Sequence, residues 1–139
     1  MSGAVRFSVS LSEKLLDQFD SLLAEKGYTN RSEGIRDIIR DRLVQEEIEL
    51  DKVIVGVISL VYDHHVRELT EKLIELQHES ETEVISSMHV HLDHHHCLEV
   101  IIARGPGKVV RKFADRLIGT RGVMHGQLVL TTTGEELPP

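Results

Sequence analysis

The first stretch of the chain, AVRFSVSLS, alternates between apolar and polar residues. A period of two predicts a β-strand with one buried and one exposed face. The apolar face carries Val5, Phe7, Val9 and Leu11, and the exposed face carries Arg6, Ser8 and Ser10. Because a single short strand has unpaired edges, we expect it to pair with the same strand of a second chain.

Two helices are predicted to follow this strand. In SEKLLDQFDSLLAEKG, leucines and Phe19 recur at helical spacing, and Gly27 stands where a helix would end. In NRSEGIRDIIRDRL, Asn30 and Glu33 have the spacing of a capping box, and isoleucines form one stripe with Leu43. This β-α-α unit is too small to bury a stable core alone, so we predict an intertwined dimer.

The pattern changes after a charged connection, QEEIELDK. The apolar run VIVGVISLVY is typical of a buried strand, and apolar residues at helical spacing follow it up to His78. EVISSMHVHL and CLEVIIARG predict two strands joined by the turn DHHH. PGKVVRKFADRLIG then predicts a helix and GVMHGQLVLTT a last strand. The order β-α-β-β-α-β is that of a ferredoxin-like domain.

The predicted fold class is therefore α+β, with two different domains in one chain. The strand-helix-helix unit occupies residues 1–46, and residues 47–52 form a linker. The ferredoxin-like domain occupies residues 53–133, and residues 134–139 form a loose tail.

Histidines cluster beside the only cysteine of the chain, in SSMHVHLDHHHCLEV. His89 and His91 lie on one face of their strand, about 6 to 7 Å apart. Cys97 joins them only if it lies opposite His91 across a five-residue loop, Leu92 to His96, since a four-residue loop would turn it to the other face. Two imidazoles and a thiolate on one face predict a metal site.

Three ligands leave one position open, and His78, at the end of the preceding helix, is the best remaining candidate. That helix end is poorly placed to reach the hairpin of its own chain, so we expect His78 to come from another subunit. One thiolate with three imidazoles suits Ni(II), Cu(II) or Zn(II), and the residues do not choose among these metals. Catalysis by Cys97 with a histidine base is a weaker alternative, because no oxyanion-type loop is evident nearby. His94, His95 and His96 are expected to form a solvated turn, with at most an auxiliary weak metal site.

Composition narrows the class of protein. No apolar run approaches the roughly 18 residues that a membrane span needs. The N-terminal segment shows no secretory signal, so we expect a cytoplasmic protein without a membrane partner. A single cysteine excludes an intramolecular disulfide. The net charge of −7 weakly disfavours nucleic acid, although a small surface can be locally basic.

The motifs of the two halves together resemble a known family. RFSVSL followed by GYTNRSEGIRDIIRD resembles the ribbon-helix-helix DNA-binding fold. Q-H-x10-H-V-H-L-D-H-x2-C-L-E, together with RGVMHG, resembles the nickel-responsive transcriptional regulators, NikR. The resemblance covers nearly the whole chain, from Arg6 to about Leu130.

The resemblance implies a homotetramer, a dimer of dimers, in which ribbon-helix-helix dimers flank a core of ACT-like domains. It implies a repressor of nickel-uptake genes, not an enzyme, whose binding to double-stranded operator DNA is promoted by Ni(II) at the tetramer interface. The square-planar Ni(II) ligands would be His89, His91 and Cys97 of one chain and His78 of another. Glu99 matches a position beside this site, where it could orient a ligand; a solvent-facing polar strand residue is the alternative.

The resemblance also implies DNA contacts. Arg6, Ser8 and Ser10 would read base edges, and a two-stranded ribbon fits the major groove. The alternative for these residues is an ordinary exposed polar face. Arg31 and Ser32, at the start of the second helix, would hold phosphate.

A second site, for potassium or another hard cation, is implied between the two domains. It would use the side chains of Glu33 and Asp37 and backbone carbonyls near Ile118, Thr120 and Val123. Two carboxylates one helical turn apart suit an oxygen-liganded ion. Pairing of these carboxylates with Arg36 or Arg40 is the alternative.

The sequence departs from the family at one point. Members of the family often carry two basic residues before the first helix of the second domain, whereas this chain has Val66 followed by Arg67. We therefore expect a weaker non-specific contact with the DNA backbone. Two other functions stay open. One is an ACT-domain regulator that senses a small effector or a different transition metal. The other is a metalloenzyme or nickel-storage protein, which would have no use for the N-terminal ribbon.

Overall fold

The computed structural model of the chain describes residues 3–139. These residues form two compact units, which divide between Asp41 and Arg42. The helices are α1 (Glu13–Lys26), α2 (Arg31–Glu49), α3 (Leu69–His78) and α4 (Gly107–Ile118). The strands are β1 (Val53–Asp63), β2 (Glu83–His91), β3 (His96–Pro106) and β4 (Val123–Thr131). The predicted α+β class is confirmed, and the second half has the order β-α-β-β-α-β.

Residues 3–12 form neither a helix nor a strand in the single chain. The alternating apolar side chains are exposed there; Val5 is 89% and Phe7 71% exposed. A strand requires a hydrogen-bonding neighbour, and the predicted neighbour belongs to a second chain. The predicted strand is therefore not formed within one chain, although its period-two pattern is presented to solvent intact.

The first unit packs two capped helices closely together. The Ser12 hydroxyl accepts a hydrogen bond from the Leu15 backbone at 3.2 Å and begins α1, and Gly27, with φ of 78°, ends it. Leu23 of α1 is buried against Gly34 of α2, where an added Cβ would overlap a Leu23 methyl. A larger residue at this position would require the Leu23 side chain to move.

The second unit is a four-stranded antiparallel sheet in the order β2-β3-β1-β4. One face of the sheet is covered by α3 and α4. The core between sheet and helices contains Ile58, Leu60, Tyr62, Leu69, Leu73, Leu76, Cys97, Ile101, Ala103, Phe113, Ala114 and Leu117. No helix among residues 3–139 is long and apolar enough to cross a lipid bilayer.

The opposite face of the sheet is rich in exposed apolar side chains. Met88, Val90 and Leu92 of the hairpin are 58%, 37% and 54% exposed, and Val129 of β4 is 53% exposed. An antiparallel sheet in contact with water on one face normally alternates to polar residues there. This face is therefore suited to contact with another protein surface.

The connection between the two units and the C-terminal tail both contain ordered contacts. Helix α2 continues through Glu49, so half of the predicted linker is helical. The Asp51 carboxylate accepts a hydrogen bond from the Lys108 backbone at 2.7 Å, at the start of α4. In the predicted loose tail, Lys52 Nζ lies 2.9 Å from a Glu136 oxygen. These contacts tie both segments to the second unit.

Candidate metal centre

The hairpin between β2 and β3 determines which side chains share a face. His91 is the ladder partner of Cys97, and His89 is the partner of Glu99. The Leu92 backbone donates to the His96 carbonyl at 2.9 Å, which closes the turn. The predicted five-residue loop is confirmed, and Cys97 lies on the same face as both histidines.

The three residues differ in their exposure. Cys97 lies on a central strand and is 2% exposed, whereas His89 and His91 lie on the edge strand and are exposed. In residues 3–139, their ligand atoms are not among those that lie within 4.8 Å of one another. The backbone therefore brings the three candidates to neighbouring positions of the β2–β3 pairing. Their side chains must turn toward one another before they can bind one ion.

Glu99 is a buried carboxylate beside His89. It is 2% exposed, so the solvent-facing alternative is wrong. The Tyr62 hydroxyl donates to Oε1 at 2.8 Å, and the Gln77 amide donates to Oε2 at 3.1 Å. His89 Nε2 lies 3.5 Å from Oε2, and His89 Nδ1 lies 3.4 Å from the Tyr62 hydroxyl. A carboxylate and a hydroxyl are thus the polar neighbours of this imidazole, one beside each ring nitrogen.

Tyr62 supplies its hydrogen bond as a neutral phenol. Burial, followed by its hydrogen bond to the Glu99 carboxylate, raises the pKa of Tyr62 far above its usual value. The hydroxyl therefore stays protonated and continues to donate. Sequence reasoning assigned no role to Tyr62, and Gln77 appeared there only as part of the family motif. The signal was weak, since Tyr62 ends an apolar run and Gln77 precedes a predicted ligand.

His78 is the last residue of α3 and is exposed. Among residues 3–139 its ring makes no hydrogen bond and belongs to no group of converging ligand atoms. The preceding residue, Gln77, is the one that holds Glu99. His78 is consequently available at the surface, next to the hydrogen-bond network of its own chain.

A second histidine cluster lies where the end of β1 meets the hairpin turn. Asp63, His65 and His95 have ligand atoms that all lie within 4.8 Å of one another. The His64 ring is 4.1 Å from that of His65 and 5.1 Å from that of His91. Burial, and then the neighbouring histidines, lower the pKa of His64, which favours its neutral form. The sequence signal for this cluster was DHH at the end of a strand predicted to lie in the same sheet as the hairpin.

The turn itself is organised by Asp93. Its Oδ1 accepts from the backbone of His95 and of His96, each at 2.8 Å, and its Oδ2 lies 2.9 Å from His96 Nδ1. The His96 hydrogen bond, followed by the two backbone donors, lowers the pKa of Asp93, and the Asp93 carboxylate raises the pKa of His96. His96 is thus a structural partner of the turn.

Comparisons with known proteins match both halves of the chain. Residues 55–131 match the family described as NikR C terminal nickel binding domain, and residues 5–46 match ribbon-helix-helix protein, copG family. A Geobacter sulfurreducens protein named "Putative nickel-responsive regulator" is 58% identical over 138 residues, which are 99% of each chain. This chain belongs to the NikR family.

Two more relatives of the same name agree with this assignment. Proteins of the same name from Solidesulfovibrio magneticus and Caldanaerobacter subterraneus are 54% and 53% identical, over 99% of this chain and 99% and 90% of their own. The solved ACT domain of a Chlorobium tepidum GTP pyrophosphokinase aligns with 55% of this chain and 86% of its own, with a TM-score of 0.48 and 12% identity. Membership of NikR confirms the predicted transcriptional regulator with DNA-binding and nickel-binding domains, and the family is not one of enzymes.

The predicted DNA contacts of this NikR chain lie in the first unit. Arg6, Ser8 and Ser10 are exposed. The Arg31 guanidinium donates twice to the Asp20 carboxylate, from Nε and Nη2, both at 2.9 Å. This pair, chiefly through its hydrogen bond, lowers the pKa of Asp20. A phosphate at Arg31 would therefore compete with an existing carboxylate partner.

The residues predicted for a second cation site already have partners within their own units. The Glu33 carboxylate accepts from the Thr29 hydroxyl at 3.2 Å. Asp37 accepts a short hydrogen bond from Tyr28 and lies 3.6 Å from Arg40 Nη1, so the Arg40 alternative is present. In the second unit, half-buried Ile118 ends α4, and the Thr120 carbonyl accepts from the Val123 backbone at 3.0 Å.

Proposed function

We propose that this protein is a repressor that binds double-stranded operator DNA of nickel-uptake genes when Ni(II) occupies a site shared between subunits. The ligands would be His89, His91 and Cys97 of one chain and His78 of another. The observation that carries this proposal is the hairpin register, which puts Cys97 opposite His91 and Glu99 opposite His89.

The donors fit the chemistry of the metal. One thiolate with imidazoles suits Ni(II), and nickel binding would release the proton of the Cys97 thiol. Glu99 lies beside Nε2 of His89 and the Tyr62 hydroxyl beside Nδ1, so the ring would have to turn to offer one nitrogen to an ion while the other keeps its neighbour. The bound metal would link two chains rigidly, and the protein would hold the ligands in position for it.

Assembly into a homotetramer, a dimer of dimers, would cover the apolar surfaces that one chain leaves open. In the first unit, Val5, Phe7 and Val9 are 89%, 71% and 63% exposed, which supports pairing of two N-terminal strands. In the second unit, the exposed apolar face of the sheet supports contact with the same domain of another chain. A His78 that reaches the hairpin of another chain would then couple metal binding to this assembly.

In the DNA complex, Arg6, Ser8 and Ser10 would read bases from the paired ribbon, and Arg31 and Ser32 would hold phosphate. Nickel would bias two ribbon dimers toward an arrangement that engages two half-sites at once, which raises affinity through effective concentration. Such a regulator acts where its DNA is, so we place it in the cytoplasm.

A potassium-like cation at Glu33, Asp37 and the carbonyls near Ile118, Thr120 and Val123 is also proposed. The two carboxylates one turn apart on α2 support it. The Tyr28 and Arg40 contacts of Asp37 would have to be exchanged for the ion.

The decisive experiment measures operator binding by fluorescence anisotropy with and without Ni(II). Wild type should gain affinity with Ni(II), whereas His89→Ala and Cys97→Ala should show no gain. The matched control is His94→Ala, which removes an exposed histidine from the same turn and should respond as wild type does. Equal DNA affinity of all four proteins in both conditions would eliminate the metal switch.

Arg6→Ala tests the other half of the proposal. It should abolish sequence-specific binding and leave nickel stoichiometry unchanged, because Arg6 lies outside the metal-binding unit. A variant that still protects its operator in a footprint would contradict the DNA-reading role of the ribbon.

A further inference from the structure

The end of helix α2 is closed by a residue in an uncommon backbone conformation. Asp51 has a φ of 56°, in the left-handed region that favours glycine. The Asp51 backbone donates to the Ile48 carbonyl at 3.2 Å, and the Lys52 backbone donates to the Glu47 carbonyl at 3.0 Å. These two hydrogen bonds form a Schellman motif, in which the left-handed position is usually occupied by glycine.

The same motif ends helix α1, and there the left-handed residue is a glycine. Gly27 has a φ of 78°, and its backbone donates to the Ala24 carbonyl at 3.2 Å. The Tyr28 backbone donates to the Leu23 carbonyl at 3.0 Å. Because glycine would close α2 with less backbone strain than aspartate, the comparison indicates that the side chain of Asp51 has a role of its own.

That role is to cap helix α4. The Asp51 carboxylate accepts a hydrogen bond at 2.7 Å from the backbone of Lys108, which lies 57 residues further along the chain. The N-cap residue of α4 is Pro106, which has no hydrogen-bonding side chain, and the first turn of α4 contains no acidic residue. A carboxylate at a helix N-terminus satisfies a free backbone N–H and interacts favourably with the helix dipole. Asp51 therefore supplies a cap that the sequence around Pro106 does not provide.

The end of α2 and the start of α4 are in direct contact at this point. A Cβ added to Gly107 would lie 3.5 Å from Asp51 Oδ1 and 3.6 Å from the Ile48 carbonyl oxygen. Gly107 is buried and Asp51 is half-buried. Asp51 thus joins the last turn of α2 to the first turn of α4, and all of these residues belong to the second unit.

We propose that Asp51 is a positioning residue that transmits the state of the nickel-binding unit to the first unit, which binds DNA. Helix α2 begins at Arg31 in the first unit and ends at Glu49 in the second. Residues of α4 pack in the same core as Cys97, a proposed nickel ligand. A close-packed core transmits displacement, and the Asp51 cap passes a movement of α4 to the end of α2. This inference rests on the proposed nickel-dependent binding of DNA.

The experiment measures the operator affinity of the full-length protein by fluorescence anisotropy, with and without Ni(II). Asp51→Gly keeps the left-handed backbone and removes the cap, so the gain in affinity with Ni(II) should fall about fivefold, a typical factor for the loss of one N-cap. Asp51→Asn retains a capping oxygen and tolerates the left-handed region, so it should keep the full gain. Nickel affinity without DNA should be unchanged in both variants, because the pairing of β1 with β3 puts Asp51 and Cys97 at opposite ends of the sheet.

Hydrogen exchange of the Lys108 amide, followed by NMR, tests the cap directly. This amide should exchange about fivefold faster in Asp51→Gly than in wild type, and at the wild-type rate in Asp51→Asn. The matched control is Lys52→Gln, which removes the exposed ion pair of the next residue with Glu136. It should leave both DNA binding and exchange unchanged, because exposed ion pairs contribute little.

The proposed function and the role of Asp51 fail in different ways. A wild type that gains no DNA affinity with Ni(II) would refute the proposed function, and this inference with it. A normal gain in wild type that persists in Asp51→Gly overturns the role of Asp51 alone. Equal exchange of the Lys108 amide in wild type and Asp51→Gly, or an equal loss of the gain in Lys52→Gln, also overturns it.

Discussion

The Tyr62 hydroxyl is the most informative single atom to remove from the nickel-binding unit. Tyr62→Phe preserves the ring that packs in the core and deletes the donor that lies 2.8 Å from the Glu99 carboxylate. Tyr62 and Glu99 are 1% and 2% exposed, so water cannot replace the lost hydrogen bond without a structural change. The Glu99 carboxylate would still accept the hydrogen bond from the Gln77 amide and would still lie beside the His89 ring.

The expected cost follows from the charge of the acceptor. A hydrogen bond to a charged group contributes roughly 1.5–3 kcal/mol, and leaving a buried charged group short of a partner costs at least as much. We therefore expect the metal-free protein to lose about 1.5–3 kcal/mol in its free energy of unfolding. Nickel affinity should fall about 10–100-fold, or roughly 1.4–2.8 kcal/mol, since Tyr62 and Glu99 both orient His89.

Urea unfolding of the metal-free protein and competition titration with a nickel chelator measure these two quantities. The matched control is Tyr28→Phe, which removes the other tyrosine hydroxyl of the chain, also bound to a carboxylate but half-exposed. Its loss of stability should be clearly smaller, and its nickel affinity should equal that of wild type. If Tyr62→Phe matches wild type in both measurements, then neither the stability of the protein nor its nickel affinity depends on the hydrogen bond from Tyr62 to Glu99.

Three further predictions concern the packing of the first unit, its DNA contact and the hairpin turn. Gly34→Ala should lower the free energy of unfolding by about 1–3 kcal/mol in urea, since the added methyl would crowd a leucine of α1. A more stable variant would contradict the close approach of the two helices. Asp20→Asn should release Arg31 and raise DNA affinity at low salt, with a steeper dependence on salt concentration; an unchanged slope would show that Arg31 does not reach phosphate. The Asp93 carboxylate raises the pKa of His96, so this pair stabilises the turn fully below about pH 6.5, the unfolded value, and loses that contribution as pH rises through the folded pKa. The lowered pKa of Asp93 means that its contribution is present above about pH 4 and is lost as pH falls further, and NMR titration of His96 should show its pKa drop in Asp93→Asn.

Periodicity alone predicted most of the regular structure. The helical stripes, the apolar strand run and the spacing of the hairpin gave the element order, because burial on one face imposes a period that can be seen locally. The loop length between His91 and Cys97 even determined the face on which the cysteine lies, since side chains alternate along a strand. These features depend on neighbours in sequence.

The predicted N-terminal strand and the predicted linker show what local sequence patterns do not determine. Residues 3–12 have the alternation of a strand but form none in one chain, because a strand requires a hydrogen-bonding neighbour and local alternation does not provide it. Helix α2 continued through Glu49 because the charged connection is made of good helix formers, and a boundary between domains need not break a helix.

The sequence by itself determined the hairpin register and the order of the two domains of this protein. Only the tertiary structure decided that Glu99 is buried between Tyr62 and Gln77, and that Asp63 and His65 meet His95. These groups come from segments tens of residues apart, which the pairing of β1 with β3 and the packing of α3 bring together. Which distant polar groups share a pocket depends on that packing, and no local period encodes it.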